Sequence, residues 1–125
     1  MRRMSVSMTL DAVRERRKTV TRRHVDTWTN LQPGDRLALI EKGMGLPKGA
    51  KQVVVAVVEV VAVDVVPLWS ITEDEVIAEG FDGMFEGEFC RMWMESHGYG
   101  HIVEQSSAMD VPCRRIEWRY LGDES

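Results

Sequence analysis

The chain has 125 residues, 44% of them hydrophobic and 29% charged, with a net charge of −4. That length and composition exclude bulk disorder and predict one domain over residues 1–125, able to bury a core without metals or disulfides. The excess of acid excludes non-specific coating of nucleic acid and leaves room only for binding at a local patch.

The first residues, MRRMSVSMTLD, lack an apolar leader core, so secretion is not expected and a cytoplasmic location is. No apolar run is long enough for a membrane helix, because Val53 to Val66 is short and contains Glu59 and Asp64. Cys90 and Cys113 lack metal-ligand spacing and would pair only if the fold brought them together, so free thiols are expected.

Ser5 to Met8 reads as a short first strand. A helix follows, with Thr9 as its N-cap, Asp11 in its first turn, and Met8 and Val13 at the positions of a hydrophobic staple. Six of the ten residues from Arg14 to Arg23 are basic and one is acidic, so this segment carries +5 and the rest of the chain −9. Several of these charges suit the last turn of a helix. Thr19 to Arg23 is then β-branched enough for a strand.

The turn LQPGDR leads into a strand, Arg36 to Lys42, and GMGLPKGAK is a Gly/Pro loop. QVVVAVVEVVAVDVVPL is strand by its β-branched content, but a straight strand of about 15 residues would reach roughly 50 Å. It must bend sharply or break in two. In ITEDEVIAEGF, Thr72 caps a helix, Glu75 holds the capping-box position and Gly80 stops it. A second helix runs from Phe85 to Ser96 with a core stripe of Phe85, Phe89 and Trp93, Met92 beside them. HGYGH is loop. Its His97 and His101 have a zinc-like spacing, but Gly98 and Gly100 argue against a helix there, so no metal is assigned. RRIEWRYL alternates as a closing strand with Ile116, Trp118 and Tyr120 inward, and residues 122–125 form a flexible tail. The element order predicts an α+β fold, a small β-barrel with helices packed on one side.

Three segments, RKTVTRR, PGDRL and ITEDEVIAEGF, together with the final RIEWRYL, resemble in order and spacing the ASCH domain, a PUA-like β-barrel family. The resemblance covers nearly the whole chain. It implies a cleft that faces RNA or a modified nucleoside, in a family that includes small stand-alone prokaryotic and phage proteins. Some members with a similar K-T-x-T-x-R segment are amidohydrolases that remove the acetyl group of N4-acetylcytidine. By that resemblance Lys18 is the base, Thr21 the nucleophile and Glu79 the proton shuttle.

Positive neighbours lower a lysine pKa, and Arg17, Arg22 and Arg23 are the candidates for that and for substrate or nucleic-acid binding. Trp28 is the candidate base-stacking ring. The leading expectation is a binding module for RNA or a modified nucleoside. The alternatives are an amidohydrolase using Lys18, Thr21 and Glu79, a ribonuclease in the same cleft, or a module that binds a protein partner through the Gly43 to Lys51 loop and the acidic face of Glu73, Asp74 and Glu75. No cofactor is implied.

Overall fold

The computed structural model describes residues 1–42 and 45–122. Within the expected loop, residues 43 and 44 lie outside the described residues, as do 123–125 of the expected tail. Five strands form one curled half-barrel sheet in the order β1-β3-β4-β5-β2, so the fold is α+β and barrel-like. The strands are β1 (Arg2–Ser5), β2 (Val20–His24), β3 (Arg36–Ile40), β4 (Val54–Pro67) and β5 (Pro112–Tyr120). β1 pairs with β3 in parallel, and every other pairing is antiparallel.

The apolar run from Val54 to Pro67 stays a single 14-residue strand. It bends rather than breaks. Its pairing with β5 shifts register between Val60 and Ala62, and its pairing with β3 shifts between Leu39 and Ile40. Such irregularities raise local twist and let one long strand curl around a small core. Its start, from Val54 to Glu59, pairs with β3, and the stretch from Val58 to Pro67 pairs with β5. In β5, Ile116 and Trp118 are fully buried, as their alternation predicts.

The helices are shorter than expected. The first strand is Arg2–Ser5 rather than Ser5 to Met8, and residues Ser7–Thr9 form a 3-10 turn. Helix α1 covers only Leu10–Arg14, and Thr9 makes no side-chain cap. Only Arg14 of the basic run lies in its last turn, so helix-end electrostatics do not account for the other charges. Met8 is 67% exposed while Val13 is buried, so the two do not staple this helix. Helix α2 (Glu73–Ala78) starts at Thr72, whose hydroxyl accepts the Glu75 N–H. Helix α3 (Glu86–Ser96) buries Phe89, Cys90, Trp93 and Met94, whereas Phe85 stands at its N-cap 70% exposed. The core stripe is therefore one residue shorter at its start, because the chain at Phe85 is still extended.

Two apolar clusters result. Met4, Val13, Leu37, Leu39, Val58, Ile116 and Trp118 fill the curl of the sheet. Leu68, Val76, Phe89, Trp93, Val111 and Cys113 join α2 and α3 to the far ends of β4 and β5. The cavity described next draws its walls from both.

Candidate functional site

Two short helices end in the same way, and those endings build the site. At the end of α1, Arg17 N–H bonds to the Ala12 carbonyl (2.8 Å) and Arg16 N–H to the Val13 carbonyl (2.9 Å). Arg16 takes φ 61°, the left-handed conformation of a Schellman ending, here without a glycine. At the end of α2, Phe81 N–H bonds to the Val76 carbonyl (3.2 Å) and Gly80 N–H to the Ile77 carbonyl (2.9 Å), with Gly80 at φ 98°. The two endings abut. A Cβ on Gly80 would lie 3.0 Å from the Ala12 Cβ and 3.1 Å from the Thr9 Cγ2. Thr19 N–H also bonds to the Ala78 carbonyl at 2.9 Å.

This geometry turns Lys18 inward at the end of α1 and holds Glu79 at the C-cap of α2. Lys18 is 3% and Glu79 2% exposed. Lys18 Nζ donates to the Glu79 carbonyl oxygen at 2.5 Å, one of the orphan acceptors that every helix end leaves, and lies 3.5 Å from Glu79 Oε1. The Lys18 carbonyl accepts from Trp118 Nε1 (3.1 Å) and the Tyr120 hydroxyl (2.5 Å), so β5 locks the backbone beneath the ammonium. Because Lys18 precedes β2, strand alternation does not separate it from Thr21. Both line one cavity.

That cavity has a volume of about 270 Å³ and is lined by Lys18, Thr21, Glu79, Phe81, Trp93 and His97, among others. Its far wall is the Ser5–Thr9 segment, which Arg23 ties down by donating to the Ser5 carbonyl at 2.6 Å. Trp93 Nε1 donates to the Arg22 carbonyl at 2.9 Å and so fixes α3 against β2.

Behind the cavity runs a chain of alternating charges. Glu79 Oε2 takes Arg22 Nη1 at 2.9 Å, and Arg22 Nη2 also bonds to Glu75. Glu75 takes Arg115 at 2.5 Å, and Arg115 pairs with Glu117 at 3.0 Å. Glu75 therefore does not close a capping box. Its carboxylate turns toward the sheet instead, and that removes it from the acidic outer face.

Burial lowers the pKa of Lys18 most, against the opposing pull of the Glu79 carboxylate. The charges of Arg23 and Arg22 lower it further. Arg17 has no such effect. It is exposed and pairs with Glu15 and Asp82 at 2.6 and 2.7 Å, away from the cavity. Trp28 also lies away from the cavity walls, half-buried against the sheet core with the Arg2 guanidinium 4.4 Å from its ring centre. Of the seven residues singled out in the sequence, the fold gathers Lys18, Thr21, Arg22, Arg23 and Glu79 around one space and leaves Arg17 and Trp28 outside it. Among the described residues no hydrogen bond joins Lys18 to the Thr21 hydroxyl, and no group of three or more His, Cys, Asp or Glu residues could hold a metal.

Sequence reasoning overlooked the Ser5–Thr9 wall and His97 as a cavity residue. The wall carries no chemical motif. In the sequence His97 shows only a metal-like spacing to His101, and its stacking on Trp93 is visible only in three dimensions (centroids 4.0 Å apart).

No family model matches this chain, and no curated protein matches it. Among solved structures it is similar to protein EF3133 from Enterococcus faecalis V583, a DUF984 protein. The two superpose with a TM-score of 0.60 at 15% identity, over 92% of this chain and 71% of that one. This likeness establishes the half-barrel fold and is compatible with a PUA-like barrel. Among the described residues, no helix is long and apolar enough to cross a membrane.

Proposed function

We propose that the cavity binds a single modified nucleoside and hydrolyses an N-acyl group on its base, as in the ASCH amidohydrolases that the sequence resembles. The observation that carries this reading is the convergence of Lys18, Thr21 and Glu79, the first and last 61 positions apart, on one cavity of about 270 Å³. A space of that size suits one small molecule better than a nucleic-acid strand. The aromatic side chains Phe81 and Trp93 among its walls suit a planar base.

The charge accounting favours the same reading over an RNA-binding surface. Arg14, Arg17, Arg22 and Arg23 are engaged with Glu41, with Glu15 and Asp82, with Glu79 and Glu75, and with the Ser5 carbonyl respectively. Much of the basic segment is thus neutralised within the fold, and less of it is left for a phosphate backbone.

In this mechanism Thr21 Oγ attacks the acyl carbonyl and Lys18, in its neutral form, takes the hydroxyl proton. The Oγ–acyl bond forms and the C–N bond breaks, and Glu79, 3.5 Å from Lys18 Nζ, relays the proton that Lys18 took from Thr21 to the departing amine. Water then cleaves the Thr21 ester, releases the carboxylic acid and restores the hydroxyl. A buried lysine with a lowered pKa reaches its neutral form more readily than an exposed one. Incubation with N4-acetylcytidine, read by chromatography for cytidine, tests the proposal. Turnover abolished by both Thr21→Ala and Lys18→Ala supports it, and full activity in Thr21→Ala overturns this nucleophile.

A further inference from the structure

His97 closes the C-terminal end of α3 and stacks its ring on Trp93, with centroids 4.0 Å apart and planes 11° from parallel. Tyr99 also stacks on Trp93, with centroids 6.1 Å apart, and His24 stacks on Tyr99 at 5.7 Å. The ring of His97 is therefore held in place by its neighbours Trp93 and Ser96 on α3.

Its protonation pattern is equally constrained. His97 Nδ1 lies 2.8 Å from the Trp93 carbonyl oxygen and 3.0 Å from Ser96 Oγ. The Ser96 hydroxyl itself reaches the same Trp93 carbonyl at 3.0 Å. A carbonyl oxygen only accepts, so Nδ1 must carry the proton. In the neutral ring the lone pair is then on Nε2, at the opposite edge, and Nε2 makes no hydrogen bond among the described residues. His97 also lines the cavity.

The other charged groups at the cavity are donors or already engaged. Arg22 and Arg23 only donate, Lys18 Nζ is engaged with Glu79, and both oxygens of Glu79 face cations. We propose that His97 is a ligand-binding residue of the cavity, whose Nε2 accepts a hydrogen bond from a hydroxyl or N–H donor on the bound nucleoside. The pocket then selects a ligand with a carbonyl acceptor for the Lys18 end and a donor for the His97 end. This deepens the nucleoside reading and rests on it for the identity of the ligand. Burial lowers the His97 pKa most, against the Trp93 carbonyl hydrogen bond that raises it, and the nearby Arg23 lowers it further.

The test uses full-length protein with ¹⁵N-labelled histidine and the Thr21→Ala substitution, so that ligand is not consumed. On addition of N4-acetylcytidine the His97 Nε2 resonance shifts in the direction of an accepted hydrogen bond. N4-acetyl-1-methylcytosine, which lacks the sugar, separates the two donor sources. A shift retained with it assigns the donor to the base, and a shift lost assigns it to a ribose hydroxyl. In the active protein, His97→Phe raises KM by roughly 3- to 10-fold with kcat little changed, the loss expected for one hydrogen bond. His97→Gln, which keeps an acceptor, recovers most of that loss. Saturating ligand with a stationary Nε2 resonance, or an unchanged KM in His97→Phe, overturns the proposal. If N4-acetylcytidine neither binds nor turns over, the nucleoside reading fails by itself. Acetamide, which carries both a carbonyl and an N–H, then decides: a shifted Nε2 resonance sustains the acceptor role and a stationary one ends it.

Discussion

The Lys18 ammonium lies 2.5 Å from the backbone carbonyl oxygen of Glu79 and 3.5 Å from its carboxylate, with both residues buried. The lysine is thus bound to the end of a neighbouring helix as much as to a carboxylate.

Burial lowers the Lys18 pKa, so between its folded value and the unfolded value of roughly 10.4 the unfolded chain binds more protons than the native one. Stability from this group therefore rises with pH through that window. The difference in unfolding free energy between wild type and Lys18→Met, measured in denaturant at several pH values, is expected to move toward the wild type as pH rises. A difference that is flat with pH would refute the depressed pKa. The same shift predicts that kcat/KM for N4-acetylcytidine climbs with pH to a plateau reached below the ordinary lysine range.

The two helix endings respond oppositely to glycine chemistry. Gly80→Ala sets a Cβ at φ 98° against Ala12 and Thr9, and is expected to cost about 1–3 kcal/mol through strain and overpacking. Arg16→Gly relieves a left-handed arginine and adds unfolded-state entropy, so it is expected to change stability by less than about 1 kcal/mol. Urea denaturation of both variants checks the contrast.

Glu75 holds Arg22 from one side and Arg115 from the other. Burial raises its pKa, but the hydrogen bonds from Arg115 and then Arg22 more than offset that, and the net shift is downward. Its contribution is therefore fully present above the unfolded value of roughly 4.3 and is lost as pH falls through the lower folded value. Glu75→Gln is expected to shallow the acid limb of the stability–pH curve and to leave its slope above pH ~6 unchanged. An acid limb identical to the wild type would show that the carboxylate charge contributes nothing there.

Cys90 and Cys113 are fully buried free thiols, with burial pushing their pKa values up to about 12 and about 11. Iodoacetamide at mildly alkaline pH is expected to label neither in the native protein and both after unfolding, as read by mass spectrometry. Rapid labelling of either thiol in the folded protein would contradict the packing of α3 against β5.

The sequence by itself determined β4, β5 and the inward face of β5, because alternation in β5 and β-branched content in β4 are local properties that each segment carries alone. Ile116 and Trp118 were legible for that reason, as were the Thr72 start and Gly80 stop of α2. The resemblance of RKTVTRR and ITEDEVIAEGF to a known family singled out Lys18, Thr21 and Glu79 before their proximity was visible. Tertiary structure alone decided what the charges do. A basic run looks the same in sequence whether it faces solvent or carboxylates 50 to 60 positions away, and here Arg22 is consumed by Glu75 and Glu79. It also decided that β4 bends at two register shifts instead of breaking, since curvature depends on the partners of a strand and not on its own residues. The inward turn of Lys18 had the same origin. Arg16 adopts a left-handed conformation that its identity disfavours, and the packing of one helix end against another holds it there.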